Sequence, residues 1–393
     1  MNLKKLTIYL VIILCGLGLN AYLHSLSISK EPIKKIKINN YLKLEKDFYI
    51  RAQFFDNDKK VIFSDAYCGI YIFNIKKERI EYILRPNHMH RISSDDLPKC
   101  CRSINKISPN KKYWAVSECE SKADNTISLY SLSNYIKIAE FNLRGFSGQS
   151  STLYFSEDSK FFYAIELGKE GKSVEIQGWQ IGTKKKIIDS KLIIDFLPEY
   201  YIPYIFANNY YLVLRLYLKN SIRIYDIRNM MLYDKIVDEN IDVNANAIYA
   251  KGQLFYIERL TEKKLNNGNN ITNIKSYNMQ TKKKNYLLSN VYNPTLEAFI
   301  NDSILIYQEM RFAPSKTDNN EYNYYPIYDW HIKYYDIIGK KILYDFDMAP
   351  NCYVNGIADN GRIWFLICEE KTINTDSNSY EFHNDYFLAY PQF

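Results

Sequence analysis

The residues of this chain with the clearest capacity for chemistry are its seven cysteines. Cys15 lies in an apolar N-terminal segment, and the other six form an even number, as expected of disulfides in an oxidising compartment. Cys352 and Cys368 lie eight residues on either side of Asn360. If Asn360 is the turn of a β-hairpin, the two cysteines are opposite each other, so we predict a cross-strand disulfide.

The same symmetry relates Cys101 and Cys119, which lie nine residues on either side of Asn110. We therefore predict a second cross-strand disulfide between them. Cys68 is then left to pair with Cys100, although Cys100 and Cys101 are adjacent and could exchange roles. Each bridge would contribute about 2 to 4 kcal/mol to stability.

A metal site is the alternative use of these cysteines. His88, Met89 and His90 precede Cys100 and Cys101, and all three residue types are ligands that copper or zinc accepts. Their spacing matches no closed zinc motif, and an oxidised cysteine pair cannot bind a metal in this way. We therefore predict disulfides and no cofactor, with His88 and His90 as the weaker metal alternative to an ordinary solvated loop.

Motifs for catalysis are few. The segment Gly145-Phe146-Ser147-Gly148 lacks the spacing of a nucleophile elbow, and no glycine-rich phosphate loop is present. The paired carboxylates Asp95-Asp96 and Glu369-Glu370 fall in polar segments where solvation explains them. The sequence thus favours a protein that is not an enzyme, while leaving open acid–base chemistry by carboxylates brought together in the fold.

Residues 311–330 contain a high density of aromatic rings with polar edges, a composition typical of protein-binding hot spots. The alternatives are that these rings fill a central channel or reflect a general bias, since the chain contains 37 tyrosines. The candidate binding residues are Phe312, Tyr322, Tyr324, Tyr325, Tyr328 and Trp330.

The elements that position these residues are short strands. Residues 104–141 contain four alternating apolar segments separated by turns, the pattern of a four-stranded antiparallel meander with strands a to d. The a–turn–b part occurs seven times along the chain. The c strands end with an aromatic residue two positions before an aliphatic one, as in Tyr225-Asp226-Ile227, at a mean spacing of about 53 residues, close to that of propeller blades.

Two of these motifs carry a resemblance to a known family. The turn Ser108-Pro109-Asn110-Lys111 and endings such as Tyr335-Asp336-Ile337 are similar to those of the WD-repeat-like β-propellers of bacteria. The resemblance covers roughly residues 33–393. It implies a propeller architecture and singles out no particular protein.

Closure of the ring provides an independent argument. The last blade stops at Phe393 after its c strand, whereas residues 33–38 alternate like a d strand. We therefore predict an all-β fold over residues 33–393, a seven-bladed β-propeller of four-stranded antiparallel blades. The N-terminal strand completes the last blade by pairing with residues 386–390.

This topology assigns every connection to one of two faces. The d–a and b–c connections lie on one face, called the top, and the a–b and c–d turns lie on the bottom. The b–c connections are long in the fifth blade (Thr261 to Thr272), the sixth (Arg311 to Trp330) and the seventh (Glu369 to Asn384), and long insertions on a rigid scaffold commonly carry recognition. The bottom turns are rich in lysine, which either solvates them or faces anionic lipid.

Residues 1–28 have the features of a signal peptide or a membrane anchor. Lys4 and Lys5 precede an uncharged, mainly apolar run from Leu6 to Leu23, which the positive-inside rule orients with the rest of the chain outside the cytoplasm. A lipoprotein built on Cys15 ranks third, because Leu14 fills a position where such signals have a small residue.

The net charge of +7 is modest for 393 residues and argues against nucleic acid as a partner. We therefore expect an extracytoplasmic, non-catalytic recognition or scaffold protein that binds a protein or peptide partner through its top-face loops. The alternative is an extracytoplasmic propeller enzyme, a hydrolase or lactonase, with its active site at the mouth of the central channel.

Overall fold

The computed structural model describes residues 34–38, 52–64, 70–84, 105–119, 125–143, 152–167, 173–193, 204–207, 211–216, 221–237, 240–242, 246–264, 270–301, 303–313, 327–349, 352–374 and 379–391. Within these ranges the regular structure is β-strand, and the described residues form no α-helix. In the same part of the chain, no helix has the length and hydropathy needed to cross a membrane.

The described strands form seven antiparallel sheets of four strands each, which are the blades of a propeller. Strand β1 (Lys34–Lys37) is the first described strand and belongs to the last blade. Blade 1 comprises β2 (Gln53–Phe55), β3 (Lys60–Ser64), β4 (Ile70–Asn74) and β5 (Arg79–Leu84). Blade 2 comprises β6 (Asn105–Ile107), β7 (Tyr113–Cys119), β8 (Asn125–Ser131) and β9 (Lys137–Leu143). Blade 3 comprises β10 (Thr152–Phe155), β11 (Phe161–Leu167), β12 (Ser173–Gln180) and β13 (Lys186–Ile193).

The later blades have longer central strands. Blade 4 comprises β14 (Tyr204–Ala207), β15 (Tyr211–Leu216), β16 (Ser221–Asp226) and β17 (Met231–Val237), and blade 5 comprises β18 (Ile248–Ala250), β19 (Gln253–Lys264), β20 (Asn270–Asn278) and β21 (Lys284–Tyr292). Blade 6 comprises β22 (Pro294–Ile300), β23 (Ile304–Ala313), β24 (Ile327–Asp336) and β25 (Lys341–Asp347), and blade 7 contains β26 (Cys352–Ile357), β27 (Trp364–Asn374) and β28 (Ser379–Tyr390).

The predicted ring closure is confirmed. Strand β1 pairs antiparallel with β28, from Lys34 opposite Tyr390 to Lys37 opposite Phe387, and completes blade 7. The two strands join the ends of the described chain and leave no open edge between blades 7 and 1. The prediction of an all-β, seven-bladed propeller is therefore correct.

Apolar side chains on both faces of each blade form the core. On β19 the residues alternate between two neighbours: Leu254 and Tyr256 pack with residues of blade 4, while Phe255 and Ile257 pack with residues of blade 6. Because β19 is buried on both sides here, residues 254–257 are continuously apolar instead of alternating with polar residues. Burying one such large side chain contributes about 1.5 to 3 kcal/mol.

The recurrent a–b turns are held by side-chain hydrogen bonds. In blade 2 the Ser108 hydroxyl accepts a hydrogen bond from the Tyr113 backbone N–H (2.9 Å) and donates to Asn110 Oδ1 (2.8 Å). In blade 3 Ser156 bonds in the same way to the Phe161 N–H (2.9 Å) and to Asp158 (2.7 Å). A serine followed two residues later by Asn or Asp thus closes the turn, which explains why the motif recurs.

Side-chain amides join the inner edges of adjacent blades. Each accepts a hydrogen bond from a backbone N–H at or next to the inner strand of the neighbouring blade and so links two blades that do not pair as a sheet. The pairs are Gln53 with Ile107 (2.9 Å), Asn246 with Leu296 (2.7 Å), Gln308 with Val354 (2.8 Å) and Asn355 with Ala52 (3.1 Å).

Candidate functional site

Long hairpins project from the top face of three neighbouring blades. In blade 7 the pairing of β27 with β28 continues for six pairs beyond Cys368, from Glu369 opposite Asn384 to Asn374 opposite Ser379. In blade 6 the pairing of β23 with β24 continues for four pairs beyond Glu309. At about 3.4 Å per residue, these hairpins project roughly 20 and 14 Å past their inner strands.

The described parts of the b–c connections that the sequence presents as long loops are therefore extensions of the two central strands. The segment expected between Thr261 and Thr272 in blade 5 likewise begins in β19 and resumes in β20. Among the described residues of blades 1 to 4, the corresponding pairing extends two or three pairs past the inner strand. We call the three long hairpins of blades 5, 6 and 7 the crown.

Three of the six candidate aromatic residues lie on the blade 6 hairpin. Phe312 is the cross-strand partner of Tyr328, and Trp330 is the partner of Met310. The Trp330 ring is partly buried and lies 5.9 Å from that of Tyr353 on the inner strand of blade 7. Tyr322, Tyr324 and Tyr325 lie outside the described residues, and binding by the whole set stays a prediction.

The disulfide predicted in blade 7 is confirmed. Cys352 and Cys368 are directly opposite in the register of β26 and β27 and are bonded, with their Cα atoms 4.0 Å apart. The bridge lies where the blade 7 hairpin leaves the blade. Cys119 ends β7, but Cys68, Cys100 and Cys101 lie outside the described residues, as do His88 and His90, so the two other bridges and the alternative metal site stay predictions.

A chain of charged groups lies at the base of the blade 6 hairpin. Glu309 is 2 % exposed, forms an ion pair with Lys333, and receives a hydrogen bond from Arg311 at 3.0 Å. The Arg311 guanidinium also lies over the Tyr292 ring of blade 5, 4.8 Å from its centre. Removing either buried partner of the Glu309–Lys333 pair would leave an uncompensated charge, so the pair favours the observed register of β23 and β24.

The network continues to β25 through two aspartates and a histidine. Lys333 Nζ lies 3.5 Å from Asp345 Oδ2, and His331 Nδ1 lies 3.1 Å from Asp345 Oδ1 and 2.8 Å from Asp347 Oδ1. Burial favours the neutral form of Asp345, but the hydrogen bond with His331 and the charge of Lys333 outweigh it and lower the pKa of Asp345. Among the described residues, His331, Asp345 and Asp347 form a group that could hold a metal ion.

The sequence contains a signal for this group, although no motif marks it. His331 and Asp347 lie eight residues on either side of Gly339, just as the cysteines of blade 7 flank Asn360. The observed register places His331 directly opposite Asp347 and Lys333 opposite Asp345. The symmetry rule that predicts the disulfide therefore also predicts this pairing.

Blade 5 carries a related pair on its central strands. Glu258 and Lys275 are both buried and form an ion pair, and the Asn273 amide donates to Glu258 at 2.8 Å. A cavity of about 600 Å³ adjoins them, lined by Val237, Asn240, Glu258, Lys275, Lys284, Asn285 and Tyr286. Both Glu258 and Glu309 thus have a buried lysine partner that offsets the charge of the carboxylate.

One carboxyl on an inner strand has a different environment. Glu297 lies at a β-bulge of β22, between Leu296 and Ala298, and accepts a hydrogen bond from Gln308 Nε2 at 2.6 Å. Desolvation raises the pKa of Glu297 to about 7, against the smaller opposing effect of that hydrogen bond. A carboxyl with this pKa can exchange a proton near neutral pH.

The crown segments of blades 6 and 7 are acidic in a chain that is basic overall. Residues 311–330 and 369–385 together contain eight Asp or Glu and three Lys or Arg, a net charge of −5, whereas the whole chain carries +7. The bottom-face turns supply much of the opposite charge, with lysines at positions such as 184–186 and 282–284. The two faces of the propeller therefore differ in sign.

No protein-family model matches this chain, and no curated protein matches it. Among solved structures, U3-55K is similar over 93% of this chain and 100% of its own, at 12% identity and a TM-score of 0.54. Hydrazine synthase of Kuenenia stuttgartiensis aligns with 87% of this chain and 97% of its own, at 10% identity and a TM-score of 0.48. Only the first similarity supports a shared fold, and at this identity it shows the fold alone.

Proposed function

We propose that this chain is a recognition scaffold that binds an extended, positively charged segment of a partner protein between the hairpins of blades 6 and 7. The observation that carries the proposal is the pair of crown hairpins on the adjacent blades 6 and 7, which project from the top face and have a joint net charge of −5. Electrostatic complementarity of this kind accelerates encounter and discriminates between partners.

The register indicates which residue positions flank the space between the two hairpins. On blade 6, Trp330 packs toward blade 7, and alternation along the strands places the Tyr328 position and its partner position Phe312 on the same face. The facing side of blade 7 begins with Leu366 and Cys368, which pack with blade 6. Continued alternation adds the positions Glu370, Thr372, Glu381 and His383.

An aromatic side opposite an acidic side suits lysine and arginine. Carboxylates form charge-assisted hydrogen bonds with these side chains, and aromatic faces attract them through cation–π interactions of about 0.5 to 2 kcal/mol. A hairpin that rises beyond the other strands of its blade also has backbone groups that a bound extended segment can pair with. The proposal therefore specifies both the charge and the conformation of the ligand.

Peptide display on the purified protein tests this function. The first variant replaces residues 370–383 with a two-residue turn, and the matched control replaces the blade 4 connection 217–220 in the same way. We expect wild type and the control to enrich peptides rich in Lys and Arg and the crown variant to lose them. Enrichment of uncharged peptides, equal binding by the crown variant, or no enrichment would refute the proposal.

We further propose that the protein acts outside the cytoplasm, with residues 1–28 as its signal peptide or anchor and residues 33–393 as one propeller domain. The Cys352–Cys368 disulfide supports this proposal, because such bonds persist in oxidising compartments. Intact mass and free-thiol measurements on protein exported by its own N-terminus provide the test. Reduced cysteines in that protein, or failure of residues 1–28 to direct export, would contradict it.

The turn hydrogen bonds of Ser108 and Ser156 also support a relationship with the WD-repeat-like propellers of bacteria, which we propose as the broader family. They show how the shared turn motif works in this chain. A profile built from the seven blades should retrieve such propellers and no other β-fold.

An extracytoplasmic hydrolase or lactonase is the second candidate, favoured by Glu297. A carboxyl with a pKa near 7 on an inner strand is suited to general acid–base catalysis. The test is turnover of an ester and lactone panel by wild type and by Glu297→Gln. Activity that disappears in Glu297→Gln would support the enzyme, and no turnover by wild type would exclude it for these substrates.

A further inference from the structure

We propose that His331, Asp345 and Asp347 form a binding site for a divalent transition-metal ion at the base of the blade 6 hairpin. The site is independent of the peptide-binding function, lies on different strands from Cys352 and Cys368, and includes neither His88 nor His90. It combines one imidazole nitrogen and two carboxylate oxygens on two adjacent strands, β24 and β25.

The distances between the ligand atoms fit a metal centre. Metal–nitrogen and metal–oxygen bonds are about 2.1 Å long, so two ligands at right angles lie about 3.0 Å apart. His331 Nδ1 lies 3.1 Å from Asp345 Oδ1 and 2.8 Å from Asp347 Oδ1, and all three ligand atoms lie within 4.8 Å of one another. Small side-chain rotations would therefore bring all three onto one ion.

The surroundings also suit a cation. Asp345 presents Oδ1 to His331, while its other oxygen, Oδ2, faces Lys333 at 3.5 Å, so the lysine orients the carboxylate from outside the site. With His331 neutral, the group of Glu309, Asp345 and Asp347 against Arg311 and Lys333 has a net charge of −1. Glu309 offsets one of the two positive charges of Arg311 and Lys333, so the two aspartates retain the net charge of −1 that an added cation would meet.

The donor set selects the kind of metal. One imidazole with two carboxylates suits Zn²⁺, Mn²⁺ and similar ions, whereas Ca²⁺ favours six to eight oxygen ligands. His331 and Asp345 are largely buried, but the Asp347 side chain is 46 % exposed, which gives an ion an entry path and room for water ligands. Bound metal would tie β24 to β25 immediately below Trp330 and so fix the base of the crown.

Calorimetric titration of Zn²⁺ into the chelator-treated full chain tests the site. The variants are His331→Ala and Asp347→Asn, the second being an exposed change that preserves the fold. The matched control is Asp189→Asn, which removes an exposed aspartate from the outer strand of blade 3. We expect one equivalent of Zn²⁺ to bind wild type and the control, and both site variants to bind at least about 10- to 100-fold more weakly.

Three results would overturn the proposal. Absence of Zn²⁺ binding by wild type would show that the three side chains form an ion pair only. Unchanged affinity in His331→Ala and Asp347→Asn would place the metal elsewhere. Loss of binding in a His88→Ala/His90→Ala variant, with retention in His331→Ala, would assign it to the d–a loop of the second blade instead.

Discussion

Blades 1 to 4 and blades 5 to 7 are built to the same plan but end differently at the top face. In blades 1 to 4 the two central strands stop two or three pairs beyond the inner strand. In blades 6 and 7 they continue for four and six pairs and carry acidic and aromatic residues. The comparison shows that blades 6 and 7 have longer central strands with more charged residues at the top face than blades 1 to 4, while the four-stranded blade itself is unchanged.

The buried residues also differ between these two parts of the ring. The central strands of blades 1 and 2 are packed with apolar side chains, including the fully buried Trp114 and Phe63. Blades 5 and 6 bury the ion pairs Glu258–Lys275 and Glu309–Lys333 at the foot of the crown. Replacing such a pair with apolar residues is often neutral or stabilising, so its presence here points to register and site geometry more than to stability.

The largest effect is expected where the two parts of the ring meet. Deleting residues 33–38 removes β1 together with the fully buried Ile38 and exposes side chains that packed against them, such as the fully buried Leu388. At about 1.5 to 3 kcal/mol per large apolar side chain, the loss should abolish cooperative unfolding or sharply lower the melting temperature. Calorimetry provides the measurement and deletion of residues 1–28 the control; an unchanged melting temperature would mean that the ring does not depend on this strand.

The next largest effect is expected from the disulfide at the base of the crown. Replacing Cys352 and Cys368 with serine opens a bridge between residues 16 apart, which should cost about 3 kcal/mol in urea unfolding. Reducing the double variant should destabilise it further if Cys101–Cys119 and Cys68–Cys100 are also bonded. No further loss would show that the crown side alone is braced.

Glu297 should give the crown side a distinctive pH dependence. The native pKa of Glu297 is about 7, whereas a glutamate in the unfolded chain titrates near 4.5, so the native state binds the proton more tightly. Its stabilising effect is complete below pH 4.5 and is lost as the pH rises through 7, by about 2 to 3 kcal/mol.

The measurement is the free energy of unfolding of wild type and of Glu297→Gln between pH 4.5 and 8. Groups with lowered pKa, such as Asp345, act in the opposite sense at lower pH and are common to both proteins. The difference between the two curves should therefore change only through the window of Glu297. Parallel curves would show that its pKa is ordinary.

The smallest effect compares two tryptophans at equivalent positions, 250 residues apart, both fully buried. Trp364 donates from Nε1 to the Tyr334 hydroxyl at 2.8 Å, whereas among the described residues the indole nitrogen of Trp114 has no partner. We expect Trp364→Phe to be more destabilising than Trp114→Phe by about 1 to 2 kcal/mol, because only the first breaks a buried hydrogen bond. Equal losses in denaturant unfolding would contradict this.

Local patterns predicted the repeating parts of the molecule well. The Ser-x-Asn and Ser-x-Asp turns, the alternating strands and the apolar central strands are each set within a few residues, and hairpin symmetry placed Cys352 opposite Cys368. The same symmetry relates His331 and Asp347. The pattern alone does not predict metal binding by this pair, because the proposed site also needs Asp345, Lys333 and Glu309 close by.

The crown was predicted as three long loops because its strands lack the apolar alternation that marks a buried strand. Polar sequences such as Glu369-Glu370-Lys371 extend as strands here because the blade below fixes their register and pairing propagates upward from it.

The sequence by itself thus determined the number of blades, the closure of the ring by residues 33–38 and the cross-strand disulfide, since each depends on short-range spacing. Only the tertiary structure decided which carboxylates are paired, which inner-strand amides join neighbouring blades, and how far the crown rises. Those features depend on contacts between blades and across strands distant in the chain, and packing geometry sets such contacts.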